Sequence, residues 1–534
     1  MTPEAALGEV AIKQNLEQFL LVLSVSLSVA TLSRLFVWFR RIPFTLLLVI
    51  VGLILAFEDI RLVNLSPELI LEIFLPPLLF EAGWNMGWRE LKRDLVPVTL
   101  FAIIGVIISI VGIAFGLNWL AGIPLAISLL VGASLSATDP ISVVALFKEL
   151  GASQRLRTLM EGESLFNDGV AVVAFSLLVG LPLGNTEFSI AQTLLKFFTF
   201  VSIGIGVGSL IGFGISYLTQ RFDSSLVEQS LTLISAYGTY VLTENLGGSG
   251  VIGVVTVGVI LGNFGSRIGM NPRTRIIVSE FWEFIAFFVN SIVFLLIGDQ
   301  IEFIHLADNI VPIFVTIGAV IFTRAISTFG LSAVSNGLAD SKIGIKDQTV
   351  LWWGGLRGSV SIALVLSVPT TLAGREDLVA TVFGVVLFTL LVQGLTTQPL
   401  LQVLGLIGDQ PLRQEYLEGI ARRIALNRVQ NYLSEAVRKQ EIDSEFYRYQ
   451  AELVKGELQR IQARLDEMEE KHLPLQELSM EMTLEDMIDI EADTYAEFIR
   501  SGRLNNQISP ILWKAFEAKE RKQIEEDKQV EATG

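Results

Sequence analysis

The chain has 534 residues, of which 51% are apolar and 18% charged, with a mean hydropathy of +0.57. Soluble proteins carry about a quarter charged residues, so this is the composition of a membrane protein. The net charge of −16 is unevenly spread: residues 1–408 hold 21 Lys and Arg against 28 Asp and Glu, whereas residues 409–534 hold 18 against 27. An apolar body therefore carries a densely charged acidic tail. The absence of cysteine excludes disulfides, thiolate chemistry and cysteine metal sites. Two histidines, His305 and His472, leave little basis for a His-rich metal or haem site. No stretch is basic enough to make nucleic acid a partner.

Apolar runs recur at about 16–38, 42–57, 67–84, 95–120, 123–147, 158–181, 190–218, 226–243, 246–263, 276–298, 306–335, 348–369 and 377–407. Crossing about 30 Å of hydrocarbon at 1.5 Å per residue takes roughly 20 residues, so these read as thirteen membrane spans. The connections support that parity through the positive-inside rule. One alternate set carries Arg40, Arg41, Arg89, Lys92, Arg93, Lys148, Arg155, Arg157, Arg221, Arg267, Arg273, Arg275, Lys342 and Lys346. The other, including the N-terminus, has Lys13, Arg61 and Arg375. The expected organisation is a short external N-terminus (1–15), a transmembrane domain (16–408) and a cytoplasmic helical tail (409–534). The first span lacks a basic leader and a cleavage site and reads as a retained helix.

Ionisable residues inside apolar runs are expensive and usually functional. The candidates are Glu72 and Glu81 in span three, Asp139 in span five, Glu163 and Asp168 at the start of span six, Glu280 and Glu283 in span ten, Arg324 in span eleven and Arg357 in span twelve. In Ser136-Ala137-Thr138-Asp139-Pro140, the proline removes a backbone donor and pushes Asp139 away from α geometry. A helix broken at mid-membrane frees carbonyls and exposes half-helix ends that can bind a cation; a plain proline kink is the alternative.

In span six, Ser164 and Asp168 are one helical turn apart and share a face. With Asp139 they offer hard oxygen ligands for a small cation. Burial disfavours a carboxylate's charged form, so Asp168 is a candidate site where a proton and a cation compete. The competing reading makes Glu163 and Asp168 first-turn acids at a membrane surface. Arg324 is too deep to snorkel and needs an acid, for which Glu163 is the preferred partner. Arg357 lies among Gly354, Gly355 and Gly358, which predict a second interrupted helix. Breaks in spans five and twelve are an odd seven spans apart, as two inverted repeats require. Gly204, Gly206, Gly208 and Gly212 in span seven predict close helix packing rather than a phosphate loop.

In the tail, Arg413, Arg422, Arg423 and Arg428 fit either an amphipathic helix on anionic lipid or a solvated face. Tyr449, Leu453, Leu458, Ile461, Leu465 and Met468 suggest a helical hairpin or short coiled segment, interrupted at Pro474. The acidic run from Glu481 to Glu497, with Glu485, Asp486, Asp489, Glu491 and Asp493, lacks the glycine and spacing of a calcium loop.

At five places the sequence resembles the cation:proton antiporter superfamily, in the branch of bacterial NhaP-type antiporters and animal sodium/hydrogen exchangers. They are Leu75-Pro76-Pro77-Leu78-Leu79-Phe80-Glu81-Ala82-Gly83, Ala137-Thr138-Asp139-Pro140, Gly162-Glu163-Ser164-Leu165-Phe166-Asn167-Asp168, Gly354-Gly355-Leu356-Arg357-Gly358 and Val392-Gln393-Gly394-Leu395-Thr396. The resemblance implies an all-α homodimer of thirteen-helix protomers, with crossed broken helices in an ion-carrying core that moves like an elevator. It implies sodium or lithium exchange for protons, with the cation at Asp168, Asp139, Ser164 and the Thr138 carbonyl, and a Glu163–Arg324 pair. Asn167 beside Asp168 is the form associated with electroneutral exchange. No cofactor is expected beyond the transported ions, and the expected location is a bacterial plasma membrane; the length of the tail, cytoplasmic by the positive-inside count, suggests a regulatory partner or lipid contact. Potassium or calcium exchange on the same site stays open, as does a channel or sensor that kept the fold. Enzyme activity is not expected.

Overall fold

The computed structural model describes residues 3–36, 42–182 except 59, 61, 64 and 65, 190–406 except 222, 223, 271 and 339–341, 410–472 except 440 and 441, and scattered positions from 475 to 498. Among the described residues all regular structure is helical, and each apolar run coincides with a helix or a pair of helices. That follows from the solvent: in hydrocarbon a segment must satisfy its own backbone hydrogen bonds, which a helix does internally. Leu95–Leu120, Ala191–Thr219, Arg273–Asp299, Ile310–Leu338 and Arg375–Leu404 are long and apolar enough to cross a bilayer by length and composition. The described residues divide into two compact units, one of 3–406 with Phe498 and the other of 410–495.

Two helices are interrupted. Leu125–Ser134 and Ile141–Leu150 flank a non-helical stretch at 135–140, and Ile345–Trp353 and Ser359–Leu366 flank another at 354–358. At the first break Pro140 has no N–H to continue the ladder, and the six non-helical residues at 135–140 make this a break rather than a simple kink.

The structure corrects the expected start of span six. That helix is Gln154–Leu178, and its N-cap is Ser153, whose hydroxyl accepts from the Leu156 N–H at 3.3 Å. Glu163 and Asp168 therefore lie well inside the helix, and the first-turn reading of both is overturned. The cap signal, a serine ahead of a basic turn, sits outside the apolar run and was masked by it.

Close packing by the span-seven glycines is real but narrower than expected. Gly204, Gly208 and Gly212 lie four apart on one face, where a β-carbon would press on Ser249, Gly253 and Ile260 of the neighbouring helix. A β-carbon at Gly206 would meet nothing among the described residues. A four-residue step keeps one face of the helix; a two-residue step leaves it.

The second unit contains a helical hairpin of Gln410–Arg438 and Ser444–Lys471. Asp443 caps the second helix, its carboxylate accepting from the Glu445 and Phe446 N–H groups at 2.9 and 3.3 Å. Those two bonds hold its carboxyl below the usual carboxylate range. The cap is therefore in place at neutral pH and is lost as pH falls through that lowered value. Tyr416, Ile420, Leu465, Met468 and Leu475 form the buried core, and the Tyr416 hydroxyl donates to Glu469. The expected apolar stripe needs correction: Tyr449 and Leu453 are exposed, and Val454 is buried in their place. Val454, Ile461, Leu465 and Met468 follow steps of seven, four and three, which keep to one seam; Tyr449 and Leu453 are off it. Arg422 lies near Glu418, and Arg423 donates to Gln462 at 3.0 Å. Pro474, Glu485, Asp486, Asp489 and Asp493 lie outside the described residues. Glu491 is described and accepts from the Tyr495 hydroxyl at 2.7 Å.

Candidate cation site

The two breaks meet. The Asp139 N–H donates to the Leu356 carbonyl at 2.8 Å, which joins the first non-helical stretch to the second through backbone alone. Gly358 lies so close to the Asp139 carboxylate that a β-carbon there would collide with it, which is the physical requirement for glycine at that position. Gly355 abuts the Arg324 guanidinium in the same way.

Interrupting a helix leaves unpaired carbonyls at one cut end and unpaired N–H groups at the other, with partial charges to match. Arg357, 1% exposed, meets the negative ends. Its Nε donates to the Leu135 carbonyl at 2.6 Å, just past the first half-helix, and its Nη1 donates to the Gly355 carbonyl, just past the other. Asp139 meets a positive end: its Oδ1 accepts from the Ile141 N–H at 2.9 Å, opening the half-helix Ile141–Leu150. Charged side chains thus meet both kinds of cut end.

Asn167 holds the first break open. Its Oδ1 accepts from the Thr138 N–H at 3.2 Å, and its Nδ2 donates to the Thr138 hydroxyl at 2.6 Å. The Thr138 and Ser164 hydroxyls are 2.9 Å apart. Asp168 stands one turn beyond Ser164 on the same helix. Asp139 Oδ2 and Asp168 Oδ1 are both buried and have no hydrogen-bond partner among the described residues. A buried carboxylate oxygen without a donor is costly unless a proton or a metal cation completes it. Thr138, Asp139, Ser164, Asn167 and Asp168 are thus gathered at one crossing.

Arg324 pairs with Glu163. Nη1 reaches Oε1, Nη2 donates to Oε2 at 3.0 Å, and Nη2 also donates to the Leu351 carbonyl at 3.0 Å. Arg324 is 7% and Glu163 4% exposed, so this is a forked, buried ion pair. It ties the Asp168 helix to the half-helix before the second break. The other acids singled out in the apolar runs stand apart from these bonds: Glu81 accepts from Asn85 at 2.6 Å, while Glu72, Glu280 and Glu283 are exposed.

A family model described as sodium/hydrogen exchanger, transmembrane, matches residues 24–403. The chain belongs to the sodium/hydrogen exchanger family. It is 65% identical over 513 residues to the Na+/H+ antiporter ApNhaP of Aphanothece halophytica, covering 96% of this chain and 98% of that one. It is 60% identical over 506 residues to the low-affinity Na+/H+ antiporter NhaS1 of Synechocystis sp., covering 94% and 96%. The solved structure of the sodium proton antiporter MjNhaP1 from Methanocaldococcus jannaschii at pH 8 shares the fold, with a TM-score of 0.61 at 21% identity over 74% of this chain and 99% of that one. This exchanger-family chain is therefore an integral membrane protein of a transporter family, not an enzyme.

Within that frame, one contributor escaped the sequence reading. Thr389 accepts the Arg357 N–H at 3.0 Å from a π-helical turn, Thr389–Gln393, in the last span. A lone threonine in an apolar run carries no signal of its own. The nearby Val392-Gln393-Gly394 motif was the available pointer, and it named the neighbouring turn.

Proposed function

We propose that the chain exchanges sodium for protons, one titratable aspartate serving both ions. The observation that carries this reading is the pair of partnerless buried oxygens, Asp139 Oδ2 and Asp168 Oδ1, at the crossing of two broken helices. Thr138, Asp139, Ser164 and Asp168 supply the hard oxygens a sodium ion takes, and Asn167, Glu163, Arg324 and Arg357 hold the frame. A proton on Asp168 removes the charge that binds sodium, so the two ions compete for one place. Lithium fits the same oxygens.

The names of the similar antiporters support sodium as the cation. Asn167, in place of a second aspartate beside Asp168, supports electroneutral exchange. Thirteen spans, two inverted repeats, an elevator motion of the core in a homodimer, an outside N-terminus and a cytoplasmic tail from about 409 complete the proposal, in a bacterial plasma membrane with a role in pH and sodium homeostasis. Reconstituted in liposomes with an imposed pH gradient, the protein should collapse that gradient on addition of sodium or lithium and leave it standing with potassium or calcium. Ohmic sodium conductance without proton movement would sink the reading and favour a channel.

The tail is proposed as a regulatory module. Truncation at residue 408 should leave exchange in place while shifting its pH profile, measured in the same liposomes; an unchanged profile and selectivity would remove the role.

A further inference from the structure

Outside the cation site, another buried acid crosses between elements. Asp94, 1% exposed, lies between the helix Trp88–Arg93 and the span Leu95–Leu120. Arg155, in the first turn of the Asp168 helix, grips it with a fork: Nε lies 3.2 and 3.3 Å from the two carboxylate oxygens, and Nη2 lies 3.0 Å from Oδ1. The third arm, Nη1, turns away and donates to the Lys342 carbonyl at 2.8 Å.

Lys342 stands in the short segment leading into the half-helix Ile345–Trp353. The next residue, Ile343, exchanges bonds with Asn336 at 2.7 and 3.1 Å and accepts from Gln348 at 2.8 Å. Those bonds stay within the second half of the body; the Arg155 bond leaves it for the first half. Nine residues further along, the Leu351 carbonyl accepts from Arg324, which is locked to Glu163. The half-helix is thus fastened at both ends to the one helix that carries Asp168, by one arginine from each side.

We infer that Arg155 is a positioning residue for cation exchange: by bridging Asp94 and the Lys342 carbonyl it fixes the register of the half-helix Ile345–Trp353, and hence of the break at 354–358, against Asp168. The reasoning is geometric. A nine-residue half-helix is too short to hold itself, and its free end is the break that supplies Leu356 to Asp139 and Gly358 beside the Asp139 carboxylate. Besides Arg324, the Trp352 and Trp353 indoles hold the inner end, donating to the Ile321 carbonyl at 3.0 Å and the Thr396 hydroxyl at 2.9 Å. Loss of Arg155 removes the outer-end bond to the Asp168 helix, and the ligand cage loosens while that helix stays intact. Guanidinium is required because three arms in one plane serve two acceptors; an ammonium serves Asp94 as a point charge and gives up the carbonyl.

The inference rests on the proposed sodium exchange, so the test reads the fastening separately from transport. Full-length Arg155→Lys is compared with wild type by hydrogen–deuterium exchange and by sodium-dependent proton flux in liposomes. The expected result is faster exchange at 342–353, unchanged exchange at 156–178, and a threefold or greater rise in the half-saturating sodium concentration. Wild-type exchange at 342–353, acceleration spread evenly over the whole body, or an unchanged half-saturation would each overturn it. Asp94→Asn, which keeps the acceptor shape but loses the charge, should loosen the same segment less. If Arg155→Lys does not fold, wild-type protection at 342–353 in Asp94→Asn overturns the inference. Absence of sodium flux in wild type would defeat the proposed function, while the exchange pattern would still judge the fastening.

Discussion

Asp168→Asn is expected to abolish sodium-dependent proton movement while leaving a folded protein. The amide is nearly the same size as the carboxylate, so the packing of Gln154–Leu178 is retained, but it neither takes up a proton nor offers a negative charge to sodium. The same change removes the charge that stops an empty core from reorienting. An aspartate carried bare to the bilayer centre costs about 3 kcal/mol on insertion scales, and proton or sodium binding relieves that cost. Coupling follows, since only the neutralised forms cross. The check is gradient dequenching in liposomes, with size-exclusion and thermal profiles to show folded protein; full sodium-coupled proton flux from Asp168→Asn would overturn the single-aspartate assignment.

Glu163→Gln is expected to act on stability first. Arg324 lies 7% exposed beside Gly355, its fork divided between the Glu163 carboxylate and the Leu351 carbonyl. Removing the acid leaves a buried cation with one neutral partner, and breaking such a pair costs about 3–5 kcal/mol. Lower yield and a lowered unfolding temperature in detergent should result, with Arg324→Gln showing the same defect. The double variant should recover part of the loss, because no unpaired charge remains. Normal thermal stability of Glu163→Gln would mean that the pair contributes little to holding the half-helix.

Much of this site was legible in the chain because hydrocarbon is an unforgiving solvent. A carboxylate or guanidinium in an apolar run has few reasons to be there, so Asp139, Glu163, Asp168, Arg324 and Arg357 stand out, though by the same signal as Glu72, Glu81, Glu280 and Glu283, which the structure leaves outside the site. Pro140 announced its own break through a missing N–H, and Gly354, Gly355 and Gly358 announced the other. Pairing was harder. A buried cation needs an acid, for which Glu163 is only the preferred partner of Arg324 along the chain, and the resemblance implies the same pair. Asn167 was assigned to the site, yet which groups it would hold was not visible. Arg155 was read only as one of many loop cations, because a basic residue in a connection satisfies the positive-inside rule whether or not it is bonded to anything.

Local chemistry therefore accounts for the helices, their two interruptions and the identity of the charged groups, because each depends on a residue and its nearest neighbours along the chain. Three-dimensional packing accounts for the rest. The bond from Asp139 to Leu356 spans 217 positions, and the fastening of Lys342 to Arg155 spans 187. Such contacts are backbone carbonyls meeting donors from distant segments, and a carbonyl looks the same at every position of a sequence. Only the fold selects which of them lie at the crossing, beside two carboxylate oxygens that no donor among the described residues satisfies.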